Sequence, residues 1–400
     1  MLPSLYVHVP FCSSRCTYCD FYSKAMSPAS IRVASESWLL AISRHLELFT
    51  RRFGSDGFKT IYIGGGTPSW LPQDILRNTL QLIGGYASAS GQEALEWTVE
   101  ANPEDIDETF LSILAGSGVG RLSIGVQSLQ DEARRLAGRR GSASLIKERL
   151  ESIASLWHGR WSCDLIFGLP GQSPEGLAND VVSLTGLGIG HVSLYELTLE
   201  PASPLSGSVQ DGSVLLPDED ERADAYDAAS EALINAGFNR YEVSNWALPT
   251  EACMHNEVYW EMGDWLALGP SGVGNMRQGD TSFLRMENAS NDEEYRHDPT
   301  GSCIESTIAG KDAAFECLLT SLRTTKGCDL SRFKERFFID PIAVFGSLHQ
   351  AFPELIHLDG SSWKATQRGL DTLNILLVAA LRHADQYYAF IDDERGEPLT

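Results

Sequence analysis

The sequence predicts an α/β fold: an incomplete (β/α)6-type barrel followed by a mostly helical, winged-helix-like C-terminal domain. Three observations carry this reading. Apolar strand-like runs alternate with helical stretches of ten or more residues six or seven times before residue 245, the rhythm of right-handed βαβ units on a parallel sheet. Gly65, Glu100, Gln127 and Asp164 fall at or near the ends of those strands, and in a parallel barrel such ends share one mouth. Beyond residue 305 the rhythm gives way to amphipathic helices around a hairpin signal.

Taken in order, a strand at 5–9 runs into a cysteine-rich loop, and a helix follows at 31–50. An apolar strand at 60–63 ends in Gly64-Gly-Gly-Thr-Pro68. Helix 73–83, strand 95–99, helix 105–114 and strand 121–126 continue the alternation. Helices at 131–137 and 144–156 precede strand 161–167, and helix 174–187 leads to strand 191–197. A long helix at 217–236 and a short strand at 239–243 complete the barrel domain, 1–245. Residues 246–304, rich in Gly, Asn and acids, read as an irregular connecting segment. The C-terminal domain, 305–400, shows helices at 312–322, 330–337 and 341–352, hairpin strands at 355–358 and 363–366, and a helix at 370–381.

Composition narrows the function class. An apolar fraction of 43% is that of a globular protein. A net charge of −23 argues against nucleic acid or an anionic membrane as partner, since phosphate binding needs gathered Lys and Arg. The winged-helix-like region is itself acidic, with 10 Lys and Arg against 14 Asp and Glu, so packing or docking is the expected role there rather than DNA binding. The chain enters its first strand within a few residues, and its longest apolar run, 375–381, is far shorter than the roughly 20 residues that span a bilayer. With Cys163, Cys253, Cys303, Cys317 and Cys328 scattered as single thiols, the expected compartment is a reducing cytoplasm.

The remaining three cysteines carry the chemistry. Cys12, Cys16 and Cys19 are spaced C-x3-C-x2-C in a loop directly after the first strand. Three thiolates converging from so short a loop suit a 4Fe–4S cluster with one iron left open for an outside ligand. A zinc knuckle is the competing reading, but a structural zinc site takes four protein ligands and no fourth lies nearby. His8, one residue beyond a strand Val, is expected to face the barrel interior.

The spacing is similar to that of the radical S-adenosylmethionine (SAM) enzymes. The resemblance narrows with Tyr6-x-His-x-Pro-Phe-Cys, Gly-Gly-Gly-Thr-Pro, Glu100-Ala-Asn-Pro, Arg121-Leu-Ser-Ile-Gly-Val-Gln127-Ser and Asp164-Leu-Ile-Phe-Gly-Leu-Pro-Gly. Together these resemble the oxygen-independent coproporphyrinogen III oxidase family over nearly the whole chain. The resemblance implies a cluster on Cys12, Cys16 and Cys19. It also implies SAM chelated to the fourth iron and cleaved by one electron to methionine and a 5′-deoxyadenosyl radical. It places Gly65, Gly66 and Thr67 along the methionine end of SAM, with Tyr6, Tyr18, Glu100, Gln127, Arg139 and Asp164 as further SAM contacts. Thr198 and Val273 align more loosely with the same role. Carboxylates suit ribose hydroxyls, and Arg139 suits the SAM carboxylate.

That family has two branches, the oxidase and a HemW-type heme chaperone. Cys19 is followed by Asp20-Phe21 where the oxidase carries a further Cys, and only five residues precede Tyr6. Cys253-Met-His255-Asn-Glu-Val-Tyr-Trp260 matches the H-N-x-x-Y-W motif of the chaperone branch. The expected function is therefore a radical SAM-type chaperone that binds heme and delivers it to recipient proteins such as respiratory cytochromes, drawing on an electron donor. Decarboxylation of coproporphyrinogen III is the alternative. His255, an imidazole among aromatics, is the candidate heme ligand.

Overall fold

The computed structural model describes residues 2–87, 94–279 and 281–395. Six strands, β1 (Ser4–Val9), β2 (Thr60–Gly65), β3 (Glu96–Ala101), β4 (Arg121–Gln127), β5 (Arg160–Phe167) and β6 (His191–Glu196), lie side by side in chain order and all run parallel. Crossovers are made by helices α1 (Pro28–Phe53), α2 (Gln73–Ala87), α3 (Glu108–Gly116), α4 (Asp131–Leu136), α5 (Ala143–Leu156) and α6 (Pro174–Thr185). Their starts are capped by side chains that accept the orphan backbone N–H groups, Ser27 for α1, Asp107 for α3, Ser142 for α5 and Ser173 for α6. After β6 come a short α7 (Pro204–Gln210) and α8 (Glu219–Asn235), the latter opened by a reciprocal Asp218–Glu221 capping box.

The strands are buried on both faces, as parallel strands under helices must be. One hydrophobic core joins them to the helices, from Leu5, Ile61, Val99 and Ile124 in the sheet to Trp38, Leu80, Leu150 and Leu177 outside it. The sheet does not close. β6 pairs antiparallel with β7 (Asn245–Ala247), which pairs antiparallel with the two-residue strand Asn239–Arg240, so that edge ends in a turn-back.

The stretch read as irregular, 246–304, is instead built into the sheet. After α9 (Met254–Trp260), β8 (Trp265–Leu268) runs parallel to β1, with Leu5 opposite Leu266 and Val7 opposite Leu268. β9 (Val273–Gln278), β10 (Ser282–Glu287) and β11 (Ile304–Ile308) then extend the sheet as an antiparallel meander, and α10 (Asp292–His297) crosses back to α1. The four-residue β8 is too short to carry a periodic signal. It is held by burial on all four positions beside β1.

A second core forms around α11 (Gly310–Leu322), α12 (Leu330–Phe337) and the final helix Leu373–Arg395, with Trp363 of a three-stranded antiparallel sheet at its centre. Met262 and Phe283 from the middle of the chain belong to this core. The helix expected at 341–352 is two pieces, Pro341–Phe345 and Leu348–Ala351. They break at Gly346, whose φ of 75° lies where a side chain is strained and would meet the His383 ring.

Candidate active site at the barrel mouth

The cysteine loop is held by its backbone. Phe11–Cys12 pairs with Lys24–Ala25, and Thr17 ties the loop centre to the end of α4 through its N–H to Ala137 O (3.1 Å) and its hydroxyl to Leu136 O (2.8 Å). Gly138, at φ 68°, lets α4 stop against that loop; a Cβ there would press on Thr17. Cys12, Cys16 and Cys19 are half-buried and line one cavity of about 360 Å³ that opens at the carboxyl ends of the strands and runs down the barrel interior to Arg121 and His191 at the strand starts.

The glycine triplet after β2 has a specific packing reason at each residue. A Cβ on Gly64 would lie 2.7 Å from the Glu100 carboxylate. One on Gly65 (φ 105°) would lie 2.5 Å from the His8 ring, and one on Gly66 would lie 2.6 Å from Phe11 O. With side chains absent, Gly66 N–H donates to Val9 O and Thr67 N–H to Phe11 O, both at 2.7 Å. The Thr67 hydroxyl then donates to Cys12 Sγ at 3.4 Å. His8 does face inward. Its Nε2–H donates to Tyr22 O (2.8 Å), which leaves Nδ1 to accept from the Tyr6 hydroxyl (3.0 Å).

Further round the mouth, Glu100 accepts from the Tyr62 hydroxyl (2.7 Å) and Gly65 N–H (3.1 Å). Burial, opposed by the Tyr62 bond and reinforced by the charge of Asp164, pushes the Glu100 carboxyl up to about 7. Burial likewise pushes Asp164 up to about 6, against hydrogen bonds from Ser193 and Ser123. A register shift between Gly125 and Gln127 leaves Gln127 at φ 69°, a strained conformation for a residue with a side chain, and turns it onto the cavity. Arg139 is not a solvated charge. It donates to Cys16 Sγ (3.5 Å) and Asn102 Oδ1 (2.8 Å), while Arg140 beside it pairs with Asp105.

Of the residues picked out from the sequence, Cys12, Cys16, Cys19, Tyr18, Gly65, Gly66, Thr67, Glu100, Gln127, Arg139 and Asp164 therefore share one cavity. Tyr6 lies behind it, stacked on Tyr62 with ring centres 6.3 Å apart. Thr198 is exposed and outside the lining. Val273, at the start of β9, is also outside, with its carbonyl taken by Trp265 Nε1–H (2.7 Å). Asn102 and Tyr62 were missed. Asn102 bridges Thr67 and Arg139 (3.3 and 2.8 Å), and its only signal was its place two residues after Glu100.

His255 requires a correction. It sits at the opposite end of the barrel, where α9 plugs the floor, and is fully buried. The Thr60 hydroxyl donates to Ser4 Oγ (2.8 Å), so it accepts from His255 Nδ1–H (2.7 Å); His255 Nε2 accepts from the Tyr259 hydroxyl (2.9 Å). Burial holds the ring neutral, with its pKa pushed down to about 3. The single free lone pair is thus already used. Around it, Glu96 receives Arg121 Nε–H (2.9 Å), His255 N–H (3.1 Å) and the Cys253 thiol (3.4 Å), fixing the motif segment to the strand starts.

The donor set at the mouth fits the expected groups. Among the described residues no three His, Cys, Asp or Glu side chains gather around one ion-sized point. A structural zinc site takes four protein ligands, whereas a cubane takes each thiolate on a different iron and can leave its fourth iron open. Arg139 Nε and Thr98 Oγ1 are buried without partners against the same cavity, which leaves polar capacity for a bound molecule.

Comparison with known proteins agrees with this architecture. Residues 6–181 match the Radical SAM superfamily and residues 308–371 the HemN C-terminal domain. A solved structure of coproporphyrinogen III oxidase (HemN) from Escherichia coli superposes with a TM-score of 0.78 at 21% identity, covering 94% of this chain and 90% of that one. The protein is thus a radical SAM protein in fold, membership that implies a 4Fe–4S cluster and SAM. The heme chaperone HemW of Lactococcus lactis is 33% identical over 336 residues, covering 84% of this chain and 85% of the relative. HemW of Bacillus subtilis is 29% identical, covering 92% and 96%. Radical S-adenosyl methionine domain-containing protein 1, mitochondrial, of Bos taurus is 31% identical, covering 94% and 87%. The chain belongs to the HemW heme chaperone family.

Proposed function

We propose that this protein binds a 4Fe–4S cluster through Cys12, Cys16 and Cys19, binds SAM beside it, and carries heme to recipient proteins. The observation that carries the reading is that the three thiols and the Gly65–Pro68 turn, 46 or more residues apart in sequence, line one cavity. Gly65, Gly66 and Thr67 would border the methionine end of SAM, and Arg139 would pair with its carboxylate. Glu100 and Asp164 would accept from the ribose hydroxyls, and the Gln127 amide would hold a polar edge. Tyr6 acts by holding His8 and Tyr62 behind the turn. When bound, cluster and SAM supply one-electron reductive chemistry; this chain's residues supply orientation and shelter from water.

Support for a chaperone over the oxidase comes from Asp20-Phe21 after the third cysteine and from the H-N-x-x-Y-W segment. Among the described residues no helix is long and apolar enough to cross a membrane. Ligation of heme iron by His255 requires Tyr259 to give up Nε2 and α9 to leave its seat. The deciding experiment is anaerobic reconstitution with iron and sulfide, then heme titration and product analysis on one sample. Heme binding without porphyrinogen turnover is expected. Formation of protoporphyrinogen IX from coproporphyrinogen III with SAM and reductant would replace the chaperone reading with the oxidase.

A further inference from the structure

Helix α9 separates two cavities. Cys253 and Asn256 face the barrel interior, while Glu257, Trp260 and Glu261 line a second cleft of about 320 Å³ at the seam with the C-terminal lobe. The other side of that cleft includes α12, through Arg332, Phe333 and Arg336. Its acidic groups are already engaged. Lys326 pairs with Glu257 (2.7 Å) and Glu261 (3.8 Å), and Asp329 is spent capping α12 through the N–H groups of Ser331 and Arg332.

Two of its three cationic groups, Arg332 and Arg336, have no such pairing. Among the described residues no salt bridge includes Arg332 or Arg336, although Arg336 is hydrogen-bonded to Cys317 and feels the charge of Asp264, and the chain carries a net charge of −23. Arg336 lies over the Phe283 ring at 4.6 Å, with Nη2 buried and unpartnered. Trp260 Nε1–H is also buried without an acceptor, and Arg323 sits over its ring at 4.6 Å. A cleft that joins aromatic faces to unmet N–H donors asks for a flat apolar ligand bearing acceptor oxygens.

We propose that this seam cleft seats the carboxylate-bearing edge of a tetrapyrrole, with Arg332 and Arg336 receiving the carboxylates and Trp260 packing at the ring edge. The proposal rests on the heme-carrying reading above and locates it outside the SAM cavity. It gives the H-N-x-x-Y-W helix two faces with two duties: His255 anchors the helix in the barrel floor, and Trp260 meets the ligand. The cleft holds one edge of the macrocycle and leaves the rest open to a recipient protein.

The test compares ferric heme with heme dimethyl ester, which keeps the ring and iron but lacks the carboxylates. Both are titrated into the reconstituted full-length chain and followed by absorption. Wild type is expected to bind heme roughly tenfold or more tighter than the ester. Arg332→Glu, an exposed site, is expected to remove most of that difference while leaving ester affinity unchanged. Equal affinity for heme and ester in wild type, or an unchanged preference in Arg332→Glu, overturns the seam site while leaving heme binding intact. Absence of any heme binding by wild type overturns the parent reading together with it.

Discussion

The two ends of the barrel are built on opposite principles. At the floor, Glu96, Arg121, Thr60, Ser4, His255 and Tyr259 are buried and joined to one another, with Arg121 Nη1 the one nitrogen of that group left without a partner. At the mouth, half-buried thiols, two carboxyls pushed upward by burial, and the unpartnered Arg139 Nε are left facing a cavity. Unmet polar groups gathered around one cavity are what a site built to receive a ligand requires. The difference therefore separates the part of the fold that supports from the part that binds.

The ends also titrate in opposite senses. His255 has a folded pKa far below its ordinary value of 6.5, so its contribution is present above 6.5 and lost as pH falls. Glu100 has a folded pKa above its ordinary 4.5, so its contribution is full below that value and lost as pH rises through about 7. Acid attacks the floor and alkali the mouth.

The sharpest separation is expected from Cys16→Ser. Iron content and SAM binding should fall to background, while the apo chain melts within about 3 °C of wild type, since a half-buried thiol contributes little packing. A large loss of stability would mean that the loop is structural. Glu96→Ala should do the reverse. It leaves Arg121 charged and buried, at a cost of about 3–5 kcal/mol in urea unfolding. A cost below about 1 kcal/mol would break the contrast between the two ends.

His255→Ala is the intermediate case. A loss of about 2 kcal/mol is expected near neutral pH from the cavity and the freed Thr60 and Tyr259 hydroxyls. That loss should shrink as pH falls from 7 to 5.5, because wild type alone must keep a buried imidazole neutral. A pH-independent loss would remove the burial argument. The smallest effect is expected at Glu100→Gln. SAM affinity of wild type should rise between pH 6 and pH 8 as the carboxylate forms, and the variant should be flat over that range, read by equilibrium binding to reconstituted protein. A variant that keeps the wild-type slope would shift that titration to Asp164.

Much of the barrel was legible because its signals are local. Each of the six parallel strands has its own apolar run, and each crossover helix its own period, so β1–β6 and α1–α6 emerge within a few residues of their observed bounds. The cysteine loop and glycine turn were legible for the same reason. β8 was not. Its four residues stand among glycines and become a strand only by burial against β1. Asn102 stood in the Glu100-Ala-Asn-Pro motif without a role; it matters because β3 sets it between Thr67 and Arg139. His255 misled, since a histidine among aromatics reads the same whether it faces a ligand or a neighbour's hydroxyl.

By itself the sequence determined the parallel alternation, the three-thiol loop, the glycine turn that fits beneath it, and the family to which these belong. Each depends on residue type and spacing along the chain. Tertiary structure alone decided which polar groups remain unmet. Whether a donor is satisfied depends on which distant strand or helix arrives beside it, and that choice is made by packing rather than by sequence neighbours. It seals His255 into the floor, leaves Arg139 at an open mouth, and sets Trp260 against Arg332 and Arg336 at the seam.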